Sequence, residues 1–176
     1  GRYADELWRD AERSIPWEPI RTAGLELHAD RSFEPALMAL IEGATKRIEL
    51  QMYGTSLYED DPASPSTAAF DALRRAAVRG VAVRVLLERG KDDDWGRETN
   101  RRNDQVARYL RAAGIEVRFD PPEVISHAKL LLVDDAATVG SMNWGFGGFR
   151  RYHELNAIVT DPVAVGDLRN YFETIW

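Results

Sequence analysis

Three short blocks decide the fold: Ser-His-Ala-Lys-Leu-Leu-Leu-Val-Asp at residues 126–134, Gly-Ser-Met-Asn at 140–143 and His-Glu-Leu-Asn at 153–156. In the first block His127 and Lys129 are two residues apart, so on a β-strand their side chains leave the same face. The apolar run that follows them is typical of a strand buried on both faces. We predict that three adjacent strand ends bring the polar groups of the blocks to one site. That predicted site consists of His127, Lys129, Ser141, Asn143 and Glu154.

The residue types at this site match the chemistry of phosphoryl transfer. A neutral imidazole beside a fixed cation can act as a nucleophile or a general base, and Glu154 could orient the ring and stabilise its charged form. Lys129, Ser141 and Asn143 can donate hydrogen bonds to a phosphoryl group that develops negative charge. An ammonium two residues from His127 disfavours a metal ion there, and the chain has no cysteine. We therefore predict attack on a phosphodiester without a metal or another cofactor.

The spacing of these residues resembles a known motif. His127-x-Lys129-x-x-x-x-Asp134, followed by Gly-Ser-x-Asn at 140–143, is similar to the HKD motif of the phospholipase D superfamily. The resemblance implies a covalent phosphohistidine intermediate, formed where two HKD motifs meet at one site. It also implies that His127 is the nucleophile or the partner acid and that Lys129 binds phosphate oxygens. Asp134 matches the third catalytic-motif position, with a supporting role.

The same resemblance implies roles for the later blocks. Ser141 and Asn143 would contact the phosphate, and Glu154 would hold the imidazole. Many members of the superfamily have Asn two residues before this glutamate, whereas this chain has Tyr152. The resemblance therefore extends from the first block to the third with one departure beside Glu154.

The chain holds one HKD motif, whereas the implied mechanism needs two. Two copies could associate about a two-fold axis with their His127 side chains facing each other, or the chain is one half of a longer protein. It begins with Gly1 rather than Met, so we expect a processed or excised chain. We predict that the glycine-rich aromatic stretch 144–149 lines a homodimer interface. Stacking on bases and contact with lipid are the alternatives for this stretch.

Composition limits the partners of the chain. The 176 residues carry a net charge of −6, which argues against a protein that coats nucleic acid. A local basic groove remains compatible, because six Arg accompany three acidic residues between Arg97 and Arg118. No apolar run approaches the ~20 residues of a membrane span. The predicted contacts with an anionic substrate are Arg101, Arg102, Arg150 and Arg151.

The hydrophobic pattern predicts an α/β fold, with a mixed β-sheet flanked by helices on both faces. The resemblance implies the same phospholipase D/nuclease-like fold. We expect a helix at 3–14 and an extended arm at 15–22, so residues 1–22 precede a single domain at 23–176. Predicted strands lie at 25–28, 47–53, 81–87 and 115–119 and beside the three blocks. Predicted helices lie at 32–46, 66–78, 104–113 and 162–174, and predicted polar loops lie at 54–66 and 89–103.

These observations support one leading function and two alternatives. The leading prediction is a homodimeric phosphodiesterase, an endonuclease that cuts DNA or RNA through a phosphohistidine. The first alternative is a phospholipase D or transphosphatidylase that acts on phospholipid head groups. The second is a non-catalytic module that binds nucleic acid or another partner, which replacement of His127 by Ala would distinguish from an enzyme.

Overall fold

The computed structural model describes residues 18–91 and 93–176, and a single mixed sheet forms its centre. The strands are β1 Ile20–Thr22, β2 Leu25–Ala29, β3 Arg47–Met52, β4 Ala82–Leu87, β5 Glu116–Phe119, β6 Lys129–Val133, β7 Ala136–Gly140 and β8 Leu155–Val159. They form an eight-stranded sheet in the order β1-β2-β8-β7-β6-β3-β4-β5. β3, β4 and β5 pair in parallel, and the other neighbouring strands pair antiparallel.

Helices cover both faces of the sheet. They are α1 Phe33–Gly43, α2 Pro65–Val78, α3 Asp94–Arg111, α4 Phe146–Arg150 and α5 Pro162–Ile175, with a 3-10 turn at Asp30–Ser32. The apolar faces of α1, α2 and α3 share one buried core, while α5 packs in a second core on the other face. Leu131 of β6 belongs to the first core, and Leu130 and Leu132 belong to the second. Both faces of β6 are therefore buried, which explains its wholly apolar run and confirms the predicted fold class.

The largest difference from the predicted elements lies at α3. This helix includes much of the segment that we predicted as a loop at 89–103. Its first half is solvated and lacks the apolar periodicity that marks a helix in sequence. Local polar contacts stabilise it: Asp93 accepts a hydrogen bond of 2.7 Å from a backbone N–H of the first turn. Glu98 also pairs with Arg101 and Arg102, three and four residues further along.

The beginning of the chain is described from Glu18 onwards. The helix expected at 3–14 lies outside the described residues. Ile20–Thr22, predicted as the end of an extended arm, forms β1 and pairs antiparallel with β2. This part of the expected arm therefore belongs to the sheet. Within the part of the chain that the structure describes, no helix combines the length and apolar character needed to cross a bilayer.

Candidate active site

The topology brings the polar ends of three strands to one edge of the sheet. β6, β7 and β8 are consecutive neighbours, and Gly140 at the end of β7 pairs with Asn156 near the start of β8. Lys129 begins β6, and Glu154 directly precedes β8. A side chain on Gly140 would overlap the Asn156 amide, which explains the glycine of the motif. The adjacent ends of β6, β7 and β8 therefore lie together at this edge.

His127 and Lys129 lie in direct contact at this edge. The Lys129 side chain is buried, and its Nζ donates a 2.6 Å hydrogen bond to the His127 carbonyl oxygen. The same Nζ lies 3.1 Å from His127 Nδ1. Tyr53, which directly follows β3, packs against both residues. Its ring centroid is 4.4 Å from that of His127 and 4.9 Å from Lys129 Nζ. Tyr53 was not among the predicted site residues.

The surroundings of His127 favour its neutral form. Partial burial, followed by the positive charge of Lys129, lowers the pKa of His127 below its ordinary value of 6.5. At pH 7 the imidazole is therefore mostly neutral and has a lone pair available for attack. Burial also lowers the pKa of Lys129, while the negative charge of Glu154 opposes this shift. Glu154 thus helps to keep a buried ammonium charged beside His127.

Ser141 and Glu154 form a separate contact on the neighbouring strands. Ser141 Oγ donates a short hydrogen bond to the Glu154 carboxylate and accepts one of 3.1 Å from the Leu155 N–H. The backbone N–H of Glu154 donates to Asp30 at 2.8 Å. Within one chain, then, Glu154 holds Ser141 and not the His127 ring, contrary to the expected role. The reason is the strand order, because β7 separates β8 from β6 and its end lies nearer to Glu154.

Asn143 reaches the site from a loop. β7 ends at Gly140, so Ser141 and Asn143 lie beyond the strand. Asn143 Oδ1 accepts a 3.1 Å hydrogen bond from the Gly54 N–H, and the Trp144 N–H donates to the Gly54 carbonyl at 3.0 Å. These bonds tie the loop after β7 to the end of β3. Because the amide oxygen is used in this contact, the NH2 group is the part of the Asn143 side chain that can donate a hydrogen bond to a ligand.

Asp134 lies away from the other motif residues. It follows the last residue of β6, at the opposite end from Lys129, and a five-residue strand puts these ends about 16 Å apart. Its carboxylate accepts hydrogen bonds of 2.8–2.9 Å from Thr45, Lys46 and Arg47 backbone N–H groups and from the Thr45 hydroxyl. These bonds lower its pKa to about 2 despite the opposing effect of burial. The structure therefore does not bring Asp134, predicted with the catalytic set, to the site.

Two of the four predicted arginine contacts line a cavity beside the site. Arg102 and Arg151 contribute to the wall of a cavity of about 600 Å³. Tyr53 and Asn143 belong to the same wall, and Tyr53 also packs against His127, so the cavity lies beside this residue. An anionic group could therefore contact the cavity and the predicted phosphate site together.

The other two arginines are directed elsewhere. Arg101 is absent from the lining of this cavity, although both Arg101 and Arg102 pair with Glu98, which lines it. Arg150 forms an ion pair with Glu34 on α1, with a second contact of 3.1 Å between Nη2 and Oε1. The sequence did not show which arginine of each adjacent pair lines the cavity. In a helix, the side chains of neighbouring residues point to different sides.

The stretch predicted to line a dimer interface is largely internal. Trp144 and Phe149 are each 2% exposed and belong to the core formed with α1, α2 and α3. The Trp144 ring packs against Phe70 of α2, with centroids 5.5 Å apart. A side chain on Gly148 would overlap the Asn143 carbonyl, so the glycines permit close packing here. The interface prediction is therefore wrong for these two aromatic residues, while Phe146 lines the cavity.

Several buried polar residues beneath the site were not predicted. Glu88 directly follows β4, Asp120 directly follows β5, and Asn103 projects from α3. Asn103 Nδ2 donates to the Tyr53 carbonyl at 2.9 Å and to the Glu88 carbonyl at 3.0 Å. Its Oδ1 accepts from the Thr55 N–H and hydroxyl at 3.1 and 2.6 Å. The available sequence signal was a carboxylate immediately after each of two neighbouring parallel strands.

The fold and this site define a phospholipase D-like domain. Residues 37–176 match the family described as "Cardiolipin synthase, PLD-like domain", and the chain belongs to that family of the phospholipase D superfamily. The predicted superfamily is therefore confirmed.

The chain is also similar to individual proteins of the superfamily and to a solved structure. The chain is 32% identical over 150 residues to the mitochondrial cardiolipin hydrolase of Xenopus laevis, covering 85% of this chain and 63% of that protein. It is 31% identical over 110 residues to the probable cardiolipin synthase YwiE of Bacillus subtilis, covering 62% and 21%. The crystal structure of Nuc, a phospholipase D family member from Salmonella typhimurium, is similar with a TM-score of 0.69 at 22% identity, covering 90% of this chain and 95% of that chain. The chain thus spans less than two thirds of the hydrolase and about a fifth of the synthase.

Proposed function

We propose that the protein hydrolyses phosphodiesters through a phosphohistidine on His127, at a site that a second copy of the chain completes. The convergence of His127 and Lys129 with Ser141 and Glu154 at one sheet edge carries this proposal. It combines a neutral nucleophile with a cation and a hydroxyl that can stabilise phosphoryl oxygens.

The chemistry proceeds in two displacements. A neutral imidazole of His127 attacks phosphorus and the bond to the leaving oxygen breaks, while the His127 of the second copy, in its protonated form, donates its proton to that oxygen. Water then attacks the phosphohistidine, the P–N bond breaks, and the water proton passes to the second imidazole. Lys129 and the donors of the β7 end stabilise the charge on the phosphoryl oxygens in both steps. Within residues 18–91 and 93–176, no group of three or more His, Asp or Glu side chains is placed to hold a metal ion.

The surface around His127 supports a site shared by two copies. The chain has one HKD motif, and His127 is exposed, so a second imidazole could approach it. Val124 and Ile125 directly precede this segment and are 65% and 61% exposed. Exposed apolar side chains beside an exposed nucleophile are favourable for an interface that buries them about a two-fold axis.

Nucleic acid is the substrate that the cavity favours. Its wall includes the aromatic side chains of Tyr58, Phe146 and Tyr152, which could stack on bases. Arg102 and Arg151 could contact backbone phosphates in the same cavity. Together with the phosphate site at His127, these groups favour cleavage of a single strand whose bases are accessible.

Phospholipid is the second candidate substrate. Two relatives that share about a third of their aligned residues are named for cardiolipin hydrolysis or synthesis. The exposed pair Val124 and Ile125 could rest on a lipid surface next to His127. Since a phospholipid head group presents the same phosphodiester, both substrates suit the proposed chemistry.

A cleavage assay in EDTA tests the proposal. Labelled single-stranded RNA, single-stranded DNA and duplex DNA are compared with vesicles that contain cardiolipin, and light scattering gives the molar mass. His127→Ala should abolish cleavage of the preferred substrate without changing the molar mass. His153→Ala is the matched control, because the His153 side chain is 82% exposed and pairs with Asp30. This control should retain activity.

The outcomes separate the candidate functions. Cleavage of nucleic acid that requires His127 supports the leading proposal, whereas cleavage of cardiolipin alone supports the second. A dimer that binds one of these ligands without cleaving it would contradict the enzymatic proposal and indicate a binding module.

A further inference from the structure

Two buried carboxyl groups lie together beneath the proposed active site. Glu88 is 2% exposed and Asp120 is 8% exposed, and they directly follow Leu87 and Phe119, which pair with each other on β4 and β5. The Asp120 carboxyl group acts on that of Glu88. Asp120 Oδ1 accepts a 2.6 Å hydrogen bond from the Arg89 N–H. Its Oδ2 is buried without another partner in the structure, although such an oxygen normally has a donor. A proton between the two carboxyl groups would supply that donor.

No cation neutralises this pair within the described residues. The Arg89 side chain is directed to Asp104, with a contact of 2.7 Å, and lies over the Phe119 ring at 3.8 Å. Apart from Asp120, the groups that face Glu88 are polar and uncharged. They are Asn103 from α3, which donates to its carbonyl, and Ser126 from the loop before β6. Asp120 is the charged side chain that acts on Glu88.

The pair is connected to the segment that carries the nucleophile. Glu88 Oε2 accepts a 2.7 Å hydrogen bond from the N–H of Ser126, which directly precedes His127. Gln51 of β3 donates to Ser126 Oγ at 2.5 Å and lies 3.5 Å from the hydroxyl of Tyr171 on α5. These are anchors for a segment that otherwise runs outside the sheet, since β6 begins only at Lys129.

We propose that Glu88 and Asp120 share one proton and act as positioning residues that hold the Ser126–His127 segment against the phosphate site. The catalytic consequence rests on the proposed function of His127, whereas the contact between the pair and Ser126 does not. Neither carboxyl group is a catalytic residue, because both act through the backbone of Ser126.

The pair makes this anchor sensitive to pH. Burial, and to a smaller extent the neighbouring Asp120, raise the pKa of Glu88 from 4.5 to about 7, although the Ser126 N–H opposes the shift. Because the closed arrangement binds the proton more tightly than an opened one, its advantage is complete below pH 4.5 and is lost as pH rises through about 7. Above that pH, two negative charges face each other in a buried site, and the segment opens more readily.

Amide hydrogen exchange at Ser126 tests the anchor without any substrate. Linkage to a single proton with a pKa of about 7 predicts that protection, corrected for the intrinsic rate, falls about tenfold from pH 6 to pH 8. Glu88→Gln should remove most of this dependence. Its amide oxygen can accept from Ser126 and its NH2 group can donate to Asp120 at every pH. Glu88→Ala should lower the protection throughout.

Activity measurements test the positioning role. In Glu88→Ala, kcat should fall about tenfold with little change in KM, because the nucleophile is misplaced while substrate contacts remain. Glu88→Gln should keep kcat near the wild-type value at pH 6 and exceed it at pH 8. Glu123→Gln is the matched control, since Glu123 is an exposed carboxylate in the same loop. It should follow the wild-type pH profile.

The exchange and activity results can fail independently. Equal pH dependence of Ser126 protection in wild type and Glu88→Gln would overturn the shared-proton pair, whatever substrate is cleaved. A pH-dependent anchor in a protein that cleaves none of the tested substrates would support the pair and contradict the proposed function. Unchanged kcat in a folded Glu88→Ala variant with weakened Ser126 protection would overturn the positioning role.

Discussion

The two ends of β6 carry parts of the same motif and have different tasks. At the first end, Lys129 lies 3.1 Å from the His127 ring and borders the surface where substrate would bind. At the other end, Asp134 accepts four hydrogen bonds from the turn before β3 and the first residue of β3, and it adopts a φ of +48°. One end therefore holds the groups of the proposed active site, and the other fastens the hairpin of β6 and β7 to the rest of the sheet.

This difference shows that a motif can combine chemistry with folding. Four apolar residues of β6, Leu130 to Val133, separate Lys129 from Asp134, and both faces of the strand are buried. Fixing Asp134 fixes the register of β6 against β3, which in turn sets the position of Lys129 opposite Met52. Substitutions at the two ends should therefore affect different measurements.

The largest effect should follow replacement of His127. His127→Ala removes the nucleophile, so we expect cleavage to fall at least about 1000-fold. The side chain is exposed, and the midpoint of thermal unfolding should change little. Steady-state cleavage and calorimetry check both expectations. A variant that retains a tenth of the wild-type activity would show that His127 is not the nucleophile.

Lys129→Met should have the next largest effect on activity. Loss of the cation that faces the phosphoryl oxygens should lower kcat/KM by about 100-fold. Because Lys129 is one of two causes that lower the pKa of His127, its removal should raise that pKa and move the acidic limb of the pH profile to higher pH. NMR titration of the His127 ring measures this shift directly.

Lys46 provides the comparison at the other end of the strand. Its side chain is 71% exposed and lies 3.8 Å from Asp135. Lys46→Met removes the same charge and should leave the His127 titration unchanged. A similar shift in both variants would mean that general charge, and not the contact at Lys129, sets the pKa of His127.

Asp134→Ala should act on stability instead of activity. Loss of its hydrogen bonds should lower the free energy of unfolding by about 2–4 kcal/mol, while kcat of the folded enzyme stays within about threefold of wild type. Asp134→Asn retains tolerance of positive φ and one acceptor oxygen, so it should be less destabilised. Urea unfolding monitored by circular dichroism gives both values. A folded Asp134→Asn variant without activity would contradict the structural role.

Acid should weaken the same end of β6. The folded-state pKa of Asp134 is depressed from 3.8 to about 2, so its contribution is present above pH 3.8 and is lost as pH falls towards 2. The difference in unfolding free energy between wild type and Asp134→Ala should therefore shrink over that interval. A difference that stays constant down to pH 2 would show that the carboxylate charge does not stabilise the turn.

The smallest effects should distinguish the arginines around the cavity. Arg151→Gln and Arg102→Gln each remove a cation from the cavity wall and should raise KM for a nucleic acid substrate about three- to tenfold. Arg101→Gln is the matched control, because Arg101 lies beside Arg102 but outside the wall. Salt dependence of KM checks the origin of the effect. Equal KM values in all three variants would exclude the cavity as a substrate site.

Much of the fold could be predicted because buried strands and amphipathic helices leave periodic patterns. The apolar run of β6 and the apolar faces of α1 and α2 are examples. The first half of α3 left no such pattern, because contacts such as that between Glu98 and Arg102 stabilise it in solvent. The burial of Trp144 depends on a partner from α2, which sequence spacing does not reveal.

The site was predictable to a similar extent. The apolar runs beside the three blocks predicted adjacent strands, and β6, β7 and β8 are neighbours in the sheet, although His127, Ser141 and Glu154 lie just outside them. The partner of Glu154 depended on the strand order, which puts β7 between it and His127. Tyr53 comes from a strand more than seventy residues earlier, so its contact with His127 requires the pairing of β3 with β6.

Mixed dimers test the two-copy active site most directly. Wild-type and His127→Ala chains are combined in varying proportions, with complete exchange verified by mass spectrometry, and cleavage is measured at constant total protein. If each site needs His127 from both copies, activity should follow the square of the wild-type fraction and fall to about a quarter in an equal mixture. Activity that falls in proportion to the wild-type fraction, to about half in the same mixture, would contradict a site shared between two chains.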